Sequence, residues 1–527
     1  MSNSQYDYIV IGTGAAGAAS AWRLCSKGFK VACLERGKEM DSSKYPSTGS
    51  NWELRKQYEF NPVASIRESA SDYPVDDNNS PIAVCNFNAV GGSTILYSGH
   101  FPRFQPRDFK IGSIDGLYED WPLSYEDLKP YYEINEYEMS VSGLVGDPKY
   151  PDIENLLPPI PIGKTGELIA NAFNKKKWHW WPSPSAISTV NSRGRNSCIN
   201  LGPCNTGCPQ GAKSSTDITY ISRARQMNLD LFTECFVDSI IVEDDKAKGV
   251  LYFDANGIKK KLYAKKIILA ASAIGTPRIL LNSPNGSGDR GIANSSGLVG
   301  KNLMIHPLGY VEGIFNEALD TDVGPQGCMI YSLEHYRNKE NNYDLGFMMH
   351  VLRGTGPLET ALSSYRRRKL SFGINLENDF QEFFKKQLSI SIICDDLPQT
   401  TNYLELSDKR DKFGTPGVKI NYKLSENTSK MMKDGMAKAK DIMKLAGAKK
   451  TYAFGPVRNT GWHLMGTCKM GVDPKNSVVN LMGETHDIKD LYIVDSSCFV
   501  TGSCVNPANT IQALALYLTD AIIKNHD

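Results

Sequence analysis

The first forty residues follow the order strand, glycine-rich turn, helix, strand and acidic residue, which few folds accommodate. A buried-strand run at Tyr8–Ile11 leads directly into a turn with glycines at Gly12, Gly14 and Gly17, and a second strand ends at Glu35. In such a unit the first glycine makes the tight turn, the second lets backbone N–H groups approach a pyrophosphate, and the third packs helix against strand. The acidic residue then binds a ribose hydroxyl. The pattern predicts a dinucleotide-binding unit and does not choose between FAD and NAD.

Composition narrows the class of protein. The chain has 527 residues, an apolar content of 41% and a formal net charge of +1, so we expect a globular protein with two or more domains and no nucleic-acid partner. Strand residues begin at position 8, and no apolar run reaches the ~20 residues that span a bilayer. We therefore expect a cytoplasmic protein whose twelve cysteines are thiols or ligands rather than a disulfide framework.

Composition and predicted secondary structure change several times along the chain, which indicates discontinuous domains. We expect an α/β, Rossmann-like nucleotide-binding domain assembled from residues 1–40, 81–150, 200–304 and 455–527. Residues 41–80 are polar and are predicted to form a lid or excursion, and residues 151–199 form an irregular segment rich in Pro and Trp. Residues 305–454 carry alternating strands and one amphipathic helix, so we expect an inserted α+β substrate domain on a largely antiparallel sheet.

The C-terminal part carries the strongest catalytic candidates. His463 lies in the run Gly461–Gly471, and Asn506 precedes an apolar helix over Ile511–Ile523. A histidine has an unperturbed pKa of ~6.5 and suits proton removal, whereas an amide donates a hydrogen bond without changing charge. Taken alone, His463 would more readily be interpreted as a hydrogen-bonded core histidine, and it is the surrounding Gly466–Thr467 and Asn506 blocks that favour a catalytic role. His306 and His350 have no motif around them, and the sequence assigns them no role.

Several blocks, taken in chain order, resemble the glucose–methanol–choline (GMC) flavoprotein oxidoreductases. The nearest branch is that of pyranose oxidase and of the FAD-dependent glucose, gluconate and fructose dehydrogenases. The resemblance rests on the N-terminal glycine turn, on the flavin loop that begins at Gly91, on residues 267–281 and 300–307, and on the His463 and Asn506 blocks. It implies FAD as the cofactor and the family's α/β FAD domain with an inserted substrate domain.

The resemblance also assigns the residues that bind the cofactor. Besides the first turn and Glu35, it implies contacts with FAD from Gly91, Gly92, Ser93, Thr94, Val237, Ala271, Asp495 and Pro507. In pyranose oxidase a histidine of the flavin loop bonds covalently to the flavin, and the matching position here is Leu96, which has no nucleophilic atom. His100 lies four residues out of register. We therefore expect noncovalent FAD.

The implied reaction is oxidation of a primary or secondary alcohol group on a sugar, polyol or related compound. His463 would take the hydroxyl proton, Asn506 would steady the developing alkoxide, and the flavin would take the hydride. The electron acceptor would be oxygen, a quinone or a cytochrome-type partner. Three alternatives stay open: an oxygen-using GMC oxidase without a cluster, a GMC-type lyase without net redox change, and a NAD-dependent or regulatory nucleotide-binding protein.

Three cysteines stand close together in the middle of the chain. Cys198, Cys204 and Cys208 follow the spacing C-x5-C-x3-C and are followed by Pro209. Iron–sulfur clusters are held by thiolates of such short loops. The stretch resembles the loop of FAD-dependent glucose dehydrogenases that holds a three-iron cluster, which implies a [3Fe-4S] cluster relaying electrons. A disulfide with one spare thiol, a zinc site lacking a fourth ligand, and structural cysteines are the alternatives.

Overall fold

The computed structural model describes residues 6–67, 69–284, 291–327, 329–353, 356–366, 368–371 and 373–525. Within these residues the strands form three sheets, two large and one small. The helices are α1 (Ala15–Ser26), α2 (Trp52–Gln57), α3 (Ala64–Arg67), α4 (Ile111–Asp115), α5 (Tyr125–Glu138), α6 (Gly163–Lys176), α7 (Ser222–Gln226), α8 (Ser272–Asn282), α9 (Pro357–Arg366), α10 (Leu376–Phe383), α11 (Glu426–Leu445) and α12 (Ala508–Lys524).

The first large sheet is mixed and draws on both ends of the chain. Its strands are β1 (Tyr6–Ile11), β2 (Val31–Leu34), β5 (Asp230–Phe232), β6 (Phe236–Glu243), β7 (Lys246–Phe253), β8 (Lys259–Leu269) and β16 (Leu491–Ile493). Strands β5, β2, β1, β8 and β16 run parallel, while β6, β7 and β8 form an antiparallel meander. Strands β1, β2 and β16 are buried almost throughout, as expected for strands covered on both faces, which explains their mostly apolar sequences.

The second large sheet is antiparallel throughout. Its order is β15 (Lys450–Phe454), β9 (Leu308–Ile314), β12 (Gln387–Cys394), β11 (Phe347–Leu352), β10 (Ile330–Ser332) and β4 (Trp181–Pro182). Helix α11 packs on it through buried residues that include Met432, Ala439 and Met443. The Ser425 side chain accepts a 2.9 Å bond from Thr428 N at the start of α11, a cap that contributes about 1 kcal/mol.

The third sheet connects the predicted lid to the substrate region. Strand β3 (Val75–Asn79) pairs parallel with β14 (Pro416–Asn421), which pairs antiparallel with β13 (Tyr403–Arg410). Part of the polar excursion over residues 41–80 is therefore a strand.

The first and last helices of the described chain pack against each other. Helices α1 and α12 pack together, and Arg23 Nε donates a 2.7 Å bond to Asp520 Oδ1. The hydroxyls of Ser20 and Thr519 are 2.9 Å apart and buried within the same contact. This contact brings the helix that follows Asn506 next to the helix that follows the glycine turn.

Most of the elements predicted from sequence patterns are present, but residues 151–199, which we expected to be irregular, contain helix α6 and strand β4. The strands at both ends of the glycine turn and the C-terminal apolar helix lie within a few residues of their expected bounds, and the amphipathic helix expected within residues 305–454 is α11.

Candidate functional site

The three glycines of the first turn have different surroundings. Gly12 has a φ of +103°, and a Cβ there would lie 2.6 Å from Ala270 O, so this turn requires glycine. A Cβ on Gly17 would lie 2.0 Å from Gly12 O, so its absence lets α1 pack on the turn. No heavy atom lies within 4 Å of the Cβ position of Gly14. Gly14 lines an adjacent cleft, where a bound group can approach the backbone.

Glu35 links the glycine turn to the end of β2. Its Oε2 accepts bonds from Thr13 N at 2.9 Å and from Thr13 Oγ1 at 2.6 Å, and its Oε1 accepts from Gly37 N at 2.8 Å. Burial raises the pKa of the Glu35 carboxyl, and the hydrogen bonds oppose that shift. The side chain lines the same cleft as Gly14.

The cleft has an empty volume of about 1160 Å³, including its open mouth. It lies along the glycine turn, β2, the start of α8 and the C-terminal blocks. Nine of the predicted cofactor residues line it: Gly12, Gly14, Glu35, Gly92, Ser93, Thr94, Val237, Ala271 and Asp495. The other three do not line it: Gly17 packs under the turn, Gly91 donates to Thr13 Oγ1, and Pro507 precedes α12.

The predicted flavin loop lies directly against the glycine turn. A Cβ on Gly92 would lie 2.8 Å from Gly14 Cα, and the residue has a φ of +54°. Thr94 Oγ1 donates a 2.6 Å bond to Gly91 O within the loop. Leu96 is buried in a small apolar cluster with Phe60 and Phe87. The loop and the first turn therefore form one continuous wall.

Asp495 closes the other side of the cleft. Its Oδ1 accepts bonds from Ser497 N at 2.9 Å and Ser497 Oγ at 2.6 Å, and its Oδ2 accepts from Thr276 Oγ1 at 2.6 Å. Burial raises the pKa of the Asp495 carboxyl. The side chain thus fastens the loop after β16 to α8.

A short antiparallel pairing positions His463. Met304 and Met465 exchange backbone bonds of 3.0 and 3.1 Å, and this register places His306 opposite His463. The approach is possible because Gly466 has a φ of +90° and no Cβ, which would lie 2.4 Å from Asn302 O. The Nδ1 atoms of His306 and His463 are 3.0 Å apart.

Asn506 bridges His463 and a further histidine. Asn506 Nδ2 lies 3.0 Å from His463 Nε2, and Asn506 Oδ1 lies 2.8 Å from His100 Nδ1. Because an amide nitrogen only donates and an amide oxygen only accepts, His463 Nε2 is an acceptor and His100 Nδ1 carries a proton. The proton of neutral His463 then sits on Nδ1 and is donated to His306 Nδ1, which leaves the His306 proton on Nε2.

His350 completes a group of four histidines, His100, His306, His350 and His463, here called the histidine cluster. It lies on β11 opposite Tyr331, and its ring stacks on that of His100 with centroids 4.2 Å apart. Burial and the neighbouring histidines lower the pKa of His350, while a hydrogen bond to the Gly327 backbone opposes that shift, so the ring donates to Gly327. Among the described residues, the Nε2 atoms of His100, His306 and His350 have no hydrogen-bond partner.

The histidine cluster is neutral at neutral pH. Burial lowers the pKa of His100 to about 4, and burial with the nearby His100 lowers the pKa of His463 to about 3. The pKa values of His306 and His350 are lowered well below the usual range, again chiefly by burial. His463 therefore presents a free-base imidazole to the site.

The sequence assigned no role to His306 and His350, and it considered His100 only as a flavin attachment point. All three contact the candidate catalytic pair or each other. The sequence block Gly300–Pro307, one of those that resemble the GMC family, contains His306. This block could therefore have indicated that His306 lies at the site. His350 sits inside an apolar strand and gave none.

The three central cysteines line one small pocket together with Lys213 and Gly202. Cys204 Sγ accepts a 3.4 Å bond from Gln326 N, and burial raises its pKa to about 11. Over the part of the chain that the structure describes, no group of three or more His, Cys, Asp or Glu residues is arranged to hold a metal ion. The predicted cluster ligands thus share a pocket without forming a metal site.

Family profiles described as GMC oxidoreductase match residues 6–308 and residues 398–515. The chain is 37% identical over 532 residues to 2-methyl-1,2-propanediol dehydrogenase of Mycolicibacterium austroafricanum, covering 99% of this chain and 96% of that protein. It is 27% identical to the fructose dehydrogenase large subunit of Gluconobacter japonicus, covering 98% of each chain.

Solved structures agree in fold. Pyridoxine 4-oxidase from Mesorbium loti matches with a TM-score of 0.70 at 16% identity, over 99% of each chain. A formate oxidase matches with a TM-score of 0.68 at 15% identity, again over 99% of each chain. None of the helices in the described ranges is long and apolar enough to cross a membrane.

Proposed function

Since this chain belongs to the GMC oxidoreductase family, whose members bind FAD, we propose that it uses noncovalent FAD to oxidise an alcohol group to a carbonyl. The observation that carries the proposal is the pairing of His463 Nε2 with Asn506 Nδ2 at 3.0 Å, beside a cleft lined by the glycine turn. The chain is an enzyme that acts on a hydroxyl group, as its relatives do. The substrate and the route of the electrons are the parts we propose.

The residues of the cleft fit FAD. Gly14 leaves space for a pyrophosphate at the N-terminus of α1, where backbone N–H groups favour an anion. Glu35 is the candidate for the ribose hydroxyls, Val237 for the adenine, and loop 91–94 with Ala271 and Asp495 for the flavin end. This fit supports a Rossmann-like FAD domain over residues 1–40, 81–150, 200–304 and 455–527 and a substrate domain over 305–454.

His463 and Asn506 have different roles in removing the hydroxyl proton. A substrate hydroxyl that replaces the direct bond between the two side chains would donate to His463 Nε2 and accept from Asn506 Nδ2. Removal of the hydroxyl proton by His463 builds negative charge on that oxygen, and the Asn506 amide stabilises the charge. His100 holds the Asn506 amide in this orientation through its 2.8 Å bond to Oδ1. When bound, FAD supplies the hydride acceptor.

We propose a substrate with several hydroxyl groups, such as a polyol, a diol or a sugar. Within the described residues, His100 Nε2 and His350 Nε2 are buried acceptors without a partner. An unpaired buried polar atom costs about 1–3 kcal/mol, so further hydroxyl donors bound here would be stabilising. The names of the relatives, a propanediol dehydrogenase and a fructose dehydrogenase subunit, agree with this substrate class.

An anaerobic screen tests the proposed reaction. The purified protein is mixed with 1-propanol, 1,2-propanediol, glycerol and simple sugars, and bleaching of the flavin absorbance is followed. Bleaching by a hydroxyl compound supports alcohol oxidation, with the polyhydroxyl compounds expected to react fastest. Turnover of a cyanohydrin without bleaching would favour a GMC-type lyase, and a purified protein without flavin absorbance would favour a NAD-dependent or regulatory protein.

The route by which electrons leave the flavin is proposed on the basis of three cysteines, Cys198, Cys204 and Cys208. Their resemblance to the glucose dehydrogenase loop and their common pocket support a [3Fe-4S] cluster that passes electrons to a cytochrome or quinone partner. Because the described side chains are not arranged to hold a metal ion, the three thiols would have to turn toward the cluster to bind it. The alternative is an oxidase that uses oxygen directly. Anaerobic purification with iron and sulfide analysis and low-temperature EPR decides between them. Less than one iron per chain, with all three thiols open to alkylation, would remove the cluster.

A cytoplasmic location is also part of the proposal. The eleven cysteines that the structure describes are free thiols, which suits a reducing compartment. Fractionation of cells that express the chain at its natural level, with activity measured in each fraction, tests the location.

A further inference from the structure

The imidazole behind the candidate base has an unused donor. His306 is fully buried, and its Nδ1 accepts from His463, so its proton lies on Nε2. No partner for His306 Nε2 is found among the described residues. A buried N–H without an acceptor is unfavourable, so this position calls for one.

A buried carboxylate lies across a glycine from His306. A Cβ on Gly502 would lie 3.4 Å from His306 Nε2 and 3.5 Å from Asp395 Oδ1. Both atoms therefore border the same small space, and a water molecule there would reach both within hydrogen-bonding range. Asp395 follows directly after β12 and is 2% exposed.

We propose that Asp395 is the acceptor for the proton that His463 removes, and that His306 and the space beside Gly502 connect the two. The inference rests on the proposed function of His463 as the base. In the transfer, the substrate hydroxyl proton binds His463 Nε2, the Nδ1 proton of His463 passes to His306 Nδ1, and the Nε2 proton of His306 passes to the Asp395 carboxylate. The two imidazoles end neutral and the carboxylate ends protonated, so charge and protons balance.

The energetics favour this direction. Burial lowers the pKa of His463 to about 3, so an imidazolium at that position is unfavourable. Burial raises the pKa of Asp395 to about 7, so the same proton is held more strongly there. Charged and titratable groups from several elements surround the Asp395 carboxyl and influence its pKa. They are the guanidinium of Arg337, the carboxylates of Asp108 and Asp396, the Tyr336 hydroxyl and the Cys504 thiol.

The neighbouring residue supplies a matched control. Burial also raises the pKa of Asp396 to about 7, and this residue is likewise 2% exposed. Its Oδ2, however, accepts from Tyr422 Oη at 2.7 Å and from Ile305 N at 3.1 Å, and none of its atoms is among the three nearest to the Cβ position of Gly502. Asp396→Asn therefore makes the same change as Asp395→Asn, from a carboxylate to an amide, at a residue outside the proposed path.

The test is the pH profile of anaerobic flavin reduction in Asp395→Asn, Gly502→Ala, Asp396→Asn and the wild type. Reduction by the wild type should accelerate as pH rises through about 7, because the carboxylate form of Asp395 is the acceptor. Asp395→Asn should lose that rise and react on the order of 10-fold or more slowly at pH 8. Gly502→Ala should show the same loss, since its methyl group meets only ordinary contacts and fills the space.

Wild-type profiles in both Asp395→Asn and Gly502→Ala would overturn the proposal. Equal losses in Asp395→Asn and Asp396→Asn would also overturn it, because they would show a general effect of the buried pair. The flavin content of each variant reports whether it has folded. If no alcohol reduces the wild-type flavin, the proposed function itself fails, and the relay fails with it because no substrate proton is removed.

Discussion

The Nδ1 atoms of His306 and His463 lie 3.0 Å apart, and only one of them carries a proton. The Asn506 amide decides which one, because it donates to His463 Nε2 and so leaves the His463 proton on Nδ1. A side chain at the start of α12 thus fixes the tautomer of two histidines on other segments.

Replacing His463 with Ala should leave FAD bound and slow flavin reduction by an alcohol 10²–10⁴-fold, roughly the contribution of a positioned base. Rapid-mixing absorbance under anaerobic conditions measures the rate. His486→Ala is the control, since His486 bonds to Ser477 away from the site and should react normally. A near-normal rate in the His463 variant would refute its role as the base.

The flavin should be released by acid. Leu96 has no nucleophilic atom and is buried in an apolar cluster. His100, the other nearby candidate, is tied through Nδ1 to Asn506 and stacks on His350. Acid precipitation should therefore leave yellow FAD in the supernatant, and flavin that remains in the pellet would contradict the prediction.

Two glycines of the same turn should respond differently to alanine. Gly17→Ala should lower the free energy of unfolding by roughly 1–3 kcal/mol or more, because its Cβ would lie 2.0 Å from Gly12 O. Gly14→Ala should keep the fold, since nothing lies within 4 Å of its Cβ, but should weaken FAD binding because the methyl group enters the cleft. Denaturation and FAD titration separate the two effects, and equal unfolding losses would contradict this assignment.

The buried pair after β12 should make stability depend on pH. The pKa of Asp396 is raised to about 7 in the folded chain, well above its value of ~3.9 when unfolded. Ionisation of the buried Asp396 carboxyl therefore lowers the free energy of unfolding progressively as pH rises from about 4, and the effect is complete above about 7. Asp396→Asn lacks this cost, so its melting temperature relative to wild type should increase from pH 5 to pH 8. Exposed Asp473→Asn is the control and should show no such trend.

Much of the architecture could be predicted because its signals are local. The glycine turn, the meander and the helix capped by Ser425 each depend on residues a few positions apart. The histidine cluster could not be predicted in this way. His100, His306, His350 and His463 come from four separated segments, and their meeting depends on a short antiparallel pairing and on the register of β11.

The cysteine loop shows that a local sequence signal can also be insufficient to predict a site. Its spacing is local and conspicuous, yet a metal site depends on how three side chains point, which spacing alone does not determine. The structure brings the three cysteines to one pocket and holds Cys204 with a backbone N–H from Gln326, 122 positions away in sequence.

The pairing of β16 with β8 has a consequence for biosynthesis. The ribosome makes β1 and α1 first, but Asp495 and α12, which complete the cleft, come from the last part of the described chain. A growing chain therefore exposes an unfinished nucleotide wall through most of translation, and the cleft cannot be complete before β16, Asp495 and α12 have been made.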